Sequence, residues 1–214
     1  MIAPLLACDR SEKIAPPARP SITPARAGQG ELFELTRFDP SIRLDIRYAT
    51  ANNFTGRTLY DQPRAFLVQP AAKALARAHK AAAAEGYGLT IFDAYRPWRI
   101  TKALWDATPP GQQRNYVANP KKGSKHNRGC AVDLSLHRLD TGALVEMPSG
   151  YDELSQRAHR GSMAASPEAI ANRPRLEGWM EAEGFRGISN EWWHFDFAGW
   201  EDFPILDIAF DEIG

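Results

Sequence analysis

An α+β fold, with a small and mostly antiparallel sheet flanked by helices, is the class this sequence predicts. Three observations lead there. Two helical stretches open on an early proline and close near a glycine. The strands are short, and most alternate apolar with polar residues. Helices and hairpins also follow one another without the regular β-α-β order that builds a parallel sheet.

In chain order, "RLDIRYAT" (43–50) alternates and predicts a strand, followed by a loop around Gly56 in "NNFTGRTLY". Pro70 opens an alanine-rich helix that closes near Gly86. "LTIFDAY" (89–95) predicts a buried strand stopped at Arg96-Pro97. A helix over 98–107 ends before Pro109-Pro110-Gly111. "CAVDLSL" (130–136) alternates strictly, with Ala131, Asp133 and Ser135 on one face and Val132, Leu134 and Leu136 on the other. "LDTGALVEM" predicts a hairpin around Asp140-Thr141-Gly142. Ser166 caps a helix that Pro167 and Glu168 begin and that runs to about Glu183. "EWWHFDF" (191–197) is the last strand.

The 214 residues suffice for one generous domain, expected over 31–214. Hydrophobic residues make up 43% and charged residues 24%, an ordinary balance for a globular chain. Lysine and arginine number 26 against 26 acids, so no global field attracts nucleic acid or an anionic membrane. No run is long and apolar enough to span a bilayer. Residues 1–30 predict a signal-like fragment followed by a linker rich in proline, alanine and polar residues. Leu5-Leu6-Ala7-Cys8 resembles the end of a bacterial lipoprotein signal, with Cys8 the residue to be lipidated. No basic segment precedes it and its apolar stretch is short. On that fragment, the cell envelope is expected in preference to the cytoplasm.

Five histidines are present: 79, 126, 137, 159 and 194. His79 beside Lys80, and His137 and His159 beside arginines, read as solvated surface residues. His126 and His194 have acidic company. A hydrolytic zinc takes three ligands from histidine and carboxylate and leaves a fourth position for water, whose pKa falls to roughly 7. His126, Asp133 and His194 supply such ligands, and Glu191 supplies a carboxylate base. The spacings oppose this reading, because residues an odd number apart on a strand face opposite ways. His126 must therefore precede the strand, with the chain turning at Gly129, and Glu191 must sit at a bend. On these residues alone, a metal centre and a pair of satisfied structural histidines both stay open. Arg96, placed before Pro97 and so kept out of helical geometry, suits a side chain aimed into a cleft. There it stabilises a carbonyl oxyanion, or it simply pairs with Asp93.

Ser124-x-His126-x-x-Gly129-x-Ala131-x-Asp133, followed by Glu191-x-Trp193-His194, resembles the zinc D,D-peptidases, and most of all their D-alanyl-D-alanine dipeptidase branch. "RYATANNFTG", "DAYRP", "SKHNRGCAVDLSLHRLDTGALVEMPSGYD" and "NEWWHFDF" match that branch in order, over roughly 43–198. The resemblance implies the hedgehog/D,D-peptidase type of fold and one zinc per chain on His126, Asp133 and His194. It implies Glu191 as catalytic base, Arg96 as transition-state stabiliser, and Ser124, Tyr48 and Asp152 as contacts of a D-Ala-D-Ala substrate in cell-wall metabolism. Asp152 is then the partner of the free ammonium. Cys130 stands where a small residue such as serine is expected, and the stretch from Arg96 to Ser124 is shorter than in the resistance enzymes. A murein carboxypeptidase or endopeptidase acting on longer stem peptides is the alternative. Non-haem iron shares the ligand set, but the separation of His126 from Asp133 and the nearby Glu191 favour zinc hydrolysis. A binding domain without turnover would lack the base or the arginine.

Overall fold

The computed structural model describes residues 30–111 and 116–214. The signal-like fragment, Cys8 and the proline-rich stretch up to residue 29 lie outside the described residues. Among those described, no helix is long and apolar enough to cross a membrane.

The centre is a five-stranded sheet in the order β2-β4-β5-β7-β6. Its strands are β2 (Arg43–Leu44), β4 (Tyr87–Asp93), β5 (Ala131–Arg138), β6 (Phe185–Ile188) and β7 (Glu191–Phe197). Only the β2–β4 pair is parallel. A separate antiparallel pair joins β1 (Leu32–Glu34) to β3 (Phe66–Val68). Helices α1 (Leu35–Phe38), α2 (Gln69–Ala84), α3 (Trp98–Ala107) and α4 (Pro167–Ala182) complete the α+β architecture.

The proline and cap signals operate locally. Pro70 sits in the first turn of α2, and the Ser166 side chain accepts the Ala169 N–H at the start of α4. Both helices then bury one stripe. Ala71, Ala74, Leu75, Ala78 and Ala82 of α2 are closed off, and so are Leu176 and Met180 of α4. The small alanines let α2 lie close against β4 and α4. Strand β5 is buried on both faces up to His137, which is why its polar positions must find partners inside the protein.

Several expectations are corrected. "RLDIRYAT" is a strand only at Arg43–Leu44, then a 3₁₀ turn over Arg47–Ala49. The Asn53 side chain holds that turn, donating to the carbonyls of Arg47, Thr50 and Arg57. The Tyr48 carbonyl accepts from Leu59 and Tyr60 instead of from a neighbouring strand. The 139–147 hairpin forms its turn, with Gly142 donating to the Arg138 carbonyl, but only one bridge follows, His137 to Leu144. Strands β1, β3 and β6 carry too few residues to show a period and were not anticipated. His79 and His137 are core residues, not surface ones. The His79 Nδ1 accepts from the Leu89 N–H, its Nε2 lies 3.0 Å from Ser41 Oγ, and His137 bonds Thr90.

Candidate metal centre and active site

Asp133 and His194 sit directly opposite each other in the β5–β7 ladder, and Asp93 pairs with Asp133 on the other side. A polar row therefore crosses three strands in the middle of the sheet. His126 reaches it from outside the sheet. It lies in a 3₁₀ turn (His126–Arg128) that ends on Gly129 in the left-handed region, at φ 64°. A β-carbon there would stand 2.6 Å from Leu32 Cδ2 and 3.1 Å from the Val68 nitrogen. Glycine is what that corner admits. The turn at Gly129 resolves the odd spacing of His126 and Asp133.

Each imidazole has one nitrogen committed. His126 Nδ1 lies 2.6 Å from the Ala94 carbonyl, which can only accept, so Nδ1 carries the proton. His194 donates Nε2–H to Asp196 Oδ1 at 2.8 Å. The free nitrogens, His126 Nε2 and His194 Nδ1, then face each other at 3.1 Å, beside Asp133 Oδ1 at 3.4 and 2.9 Å. All three ligand atoms lie within 4.8 Å of one another. Two lone pairs and a carboxylate packed this closely repel unless a cation lies among them. A tetrahedral zinc with bonds of about 2.0–2.1 Å spaces its ligand atoms by about 3.3 Å, so the donor set fits that ion.

The electrostatics agree. Burial alone would raise Asp133, yet the two imidazoles hold its carboxyl well below the usual range. Burial opposes a charge on His194, but the Asp133 and Asp196 carboxylates beside it outweigh that and favour positive charge at the ring. The cluster demands positive charge. Tyr151 closes the other side of Asp133, its hydroxyl donating to Oδ2 at 3.1 Å.

Glu191 faces this cluster because β7 bulges. Phe185, Arg186 and Gly187 of β6 pair in register with Phe197, Asp196 and Phe195, but Ile188 pairs with Glu191. Three residues are skipped, an odd number, and the carboxylate comes to the same side as His194, 4.0 Å from its Nδ1. Burial pushes Glu191 up to about 7. His194 and Arg96 act against the rise and Asp133 adds to it.

Arg96 makes the expected pairing with Asp93. Its Nε and Nη2 donate to Asp93 Oδ2 at 2.9 and 2.7 Å, and Nη2 stays 3.7 Å from Asp133. The pairing aims the guanidinium into the site. Tyr48 donates its hydroxyl to Asp152 Oδ1 at 3.2 Å. Asp152 has φ 58°, the one non-glycine among the described residues with positive φ, and backbone strain of this kind clusters at functional sites. Its Oδ2 and the Ser124 Oγ are buried, and neither has a hydrogen-bond partner among the described residues. All eight residues singled out from sequence line one cavity of about 520 Å³.

Asp196, Tyr151 and the Ala94 carbonyl were missed. For Asp196 a signal existed: two residues beyond His194 on a strand is the same face. Tyr151 and Ala94 had none, since their contacts arise from loops and strands distant in sequence.

A cation-binding cluster that shares its cavity with a half-buried carboxylate and a fixed guanidinium is the arrangement of metal-dependent hydrolases. Comparison with known proteins specifies which one. A family model described as D-ala-D-ala dipeptidase matches residues 29–207. The D-alanyl-D-alanine dipeptidase of Escherichia coli (strain K12) is 39% identical over 176 residues, 82% of this chain and 89% of that one. The Enterococcus faecium enzyme of the same name is 37% identical over 190 residues, 77% and 93% of the two chains. The chain belongs to the D-alanyl-D-alanine dipeptidase family. Among solved structures, it is similar to the vancomycin resistance D,D-dipeptidase VanXYg bound to a D-Ala-D-Ala phosphinate analog, with TM-score 0.44 and 20% identity over 65% of this chain and 53% of the other.

Proposed function

We propose that this protein hydrolyses D-alanyl-D-alanine to two molecules of D-alanine, with one zinc per chain, as part of peptidoglycan metabolism. The observation that carries the reading is the convergence of His126, Asp133 and His194 in a cavity that also holds Glu191, Arg96 and the unpartnered Asp152 oxygen.

His126 Nε2, Asp133 Oδ1 and His194 Nδ1 would hold the zinc. When bound, the ion supplies a Lewis acid that polarises the scissile carbonyl and acidifies water. Glu191, with an affinity for protons near neutrality, takes a proton from the attacking water. It then gives that proton to the leaving amide nitrogen, which departs as an amine. Arg96, steadied by Asp93, donates to the carbonyl oxygen as negative charge develops there, a contribution of roughly 3 kcal/mol for a fixed donor.

Asp152 selects the substrate's end. Burial drives its carboxyl well above the ordinary range, and the charge of Asp133 adds to that. A substrate ammonium relieves both effects by supplying the missing counter-charge. Tyr48 orients the carboxylate from its other oxygen. The Ser124 hydroxyl offers the dipeptide a further hydrogen bond. An acid enclosed beside the scissile bond favours a free amino terminus, hence a dipeptide over a long stem peptide.

Purified protein is expected to contain one zinc, to release two D-alanines per D-Ala-D-Ala, to stop under a chelator and to resume with added zinc. Glu191→Gln should keep the metal and lose a factor of about 10²–10⁴ in kcat. Full hydrolysis after complete chelation would overturn the metal assignment. Cleavage of a pentapeptide stem but not of the dipeptide would move the function to a carboxypeptidase.

A further inference from the structure

The bulge that turns Glu191 toward the ligands leaves a gap in the β6–β7 ladder. Carbonyls of Ile188, Trp192 and His194 border it. One side chain fills the gap. Arg160, from the loop before α4, donates Nε–H to the Ile188 carbonyl at 2.8 Å and Nη2–H to those of Trp192 and His194 at 3.1 and 2.9 Å. Its own backbone N–H donates to Ser189 at 3.0 Å, and its guanidinium stacks on the Phe195 ring at 4.3 Å. Glu177 of α4 forms an ion pair with the guanidinium, its carboxylate 3.2 Å from Nη1. Gly187 makes the room: a β-carbon there would fall 2.0 Å from Arg160 Cζ. Three carbonyls on two strands thus share one planar donor set that no other side chain reproduces.

We propose that Arg160 is a positioning residue for the hydrolytic reaction, bridging carbonyls of β6 and β7 across the register shift and so fixing the bulge that carries Glu191 to the ligand face. It lies outside the residues lining the cavity and acts through the backbone. The inference rests on the dipeptidase reading, and wild-type turnover of D-Ala-D-Ala in the same assay tests that reading separately.

The experiment compares Arg160→Met, Arg160→Lys and Gly187→Ala with wild type. Steady-state kinetics are normalised to zinc-loaded sites. Amide hydrogen exchange across 186–197 is followed in the metal-free proteins. Displacing a catalytic group by about 1 Å costs roughly 100-fold. Arg160→Met is expected to lose about that factor in kcat per loaded site, with KM within about threefold. Lysine, reaching fewer carbonyls, should restore part of it. Gly187→Ala, which expels the guanidinium without removing it, should match Arg160→Met. The double variant should be no worse than either single change. Exchange in 186–197 should accelerate while β4 and β5 stay protected. If Arg160→Met does not fold, Arg160→Lys and Gly187→Ala decide by the same readouts. Wild-type kcat per loaded site in any folded variant, with loss confined to melting temperature, overturns the proposal. So does unchanged exchange.

Discussion

At the scale of single residues, the site is governed by which nitrogen of each ring is occupied. The Ala94 carbonyl and the Asp196 carboxylate each take one N–H, and the remaining lone pairs are thereby directed at one point. Asp196 is itself held by Lys125 at 3.2 Å, so the acceptor behind His194 is a fixed one. Asp196→Ala is expected to weaken zinc binding by about 10–100-fold, read by competition with a chelating dye. Unchanged affinity would show that His194 is oriented by the strand alone. Glu191 and His194 were legible as a pair because their residue types match hydrolytic chemistry. Asp196 was equally visible at the two-residue strand period, yet it reads as an ordinary surface acid until the ring it serves is known.

At the scale of elements, irregularities do the placing. A regular strand would send Glu191 and His194 to opposite faces, and a regular entry to β5 would do the same to His126 and Asp133. The bulge in β7 and the left-handed corner at Gly129 undo both conflicts. Gly129→Ala is expected to destabilise the fold by more than the about 1–2 kcal/mol of the left-handed backbone, because the added carbon also meets Leu32 and Val68. It should also lower the zinc content. Denaturant unfolding checks the first effect and metal analysis the second; a fully stable variant with native zinc would remove the corner from the argument. The sequence pointed to the turn at Gly129 through parity, but the β7 bulge is bridged by Arg160, far from it in the chain. Likewise 43–50 reads as a strand by alternation, whereas Asn53 and the burial of Tyr48 turn it into a 3₁₀ corner beside the cavity.

At the scale of the whole molecule, buried histidines tie stability to pH. His79 links α2 to β4, and its Nδ1 must stay unprotonated to accept the Leu89 N–H. Burial lowers it from the ordinary value, and burial lowers His137 as well, helped by Arg43. In both cases the folded state binds its proton less readily than the unfolded chain. Their stabilisation is therefore complete above the unfolded value near 6.5 and is lost as pH falls through the folded value. Unfolding free energy in saturating zinc is expected to decline from about pH 7.5 to about pH 5, and His79→Asn, although less stable, should show a flatter slope. Identical slopes in the two proteins would exclude His79 as a source. Reading His79 as solvated failed because its neighbours in sequence, Lys80 and the alanines, say nothing about Ser41 and Leu89 across the fold.

By itself the sequence determined which atoms are available: two imidazoles, carboxylates with a base among them, an arginine before a proline, and helices whose caps and periods are local properties. These follow from side-chain chemistry and from hydrogen bonds closed within a few residues. The tertiary structure decided how the atoms meet. Strand pairing set Asp133 opposite His194, the bulge turned Glu191, and contacts across the sheet chose the proton positions on both rings. Such choices depend on partners remote in the chain, and no local pattern records them.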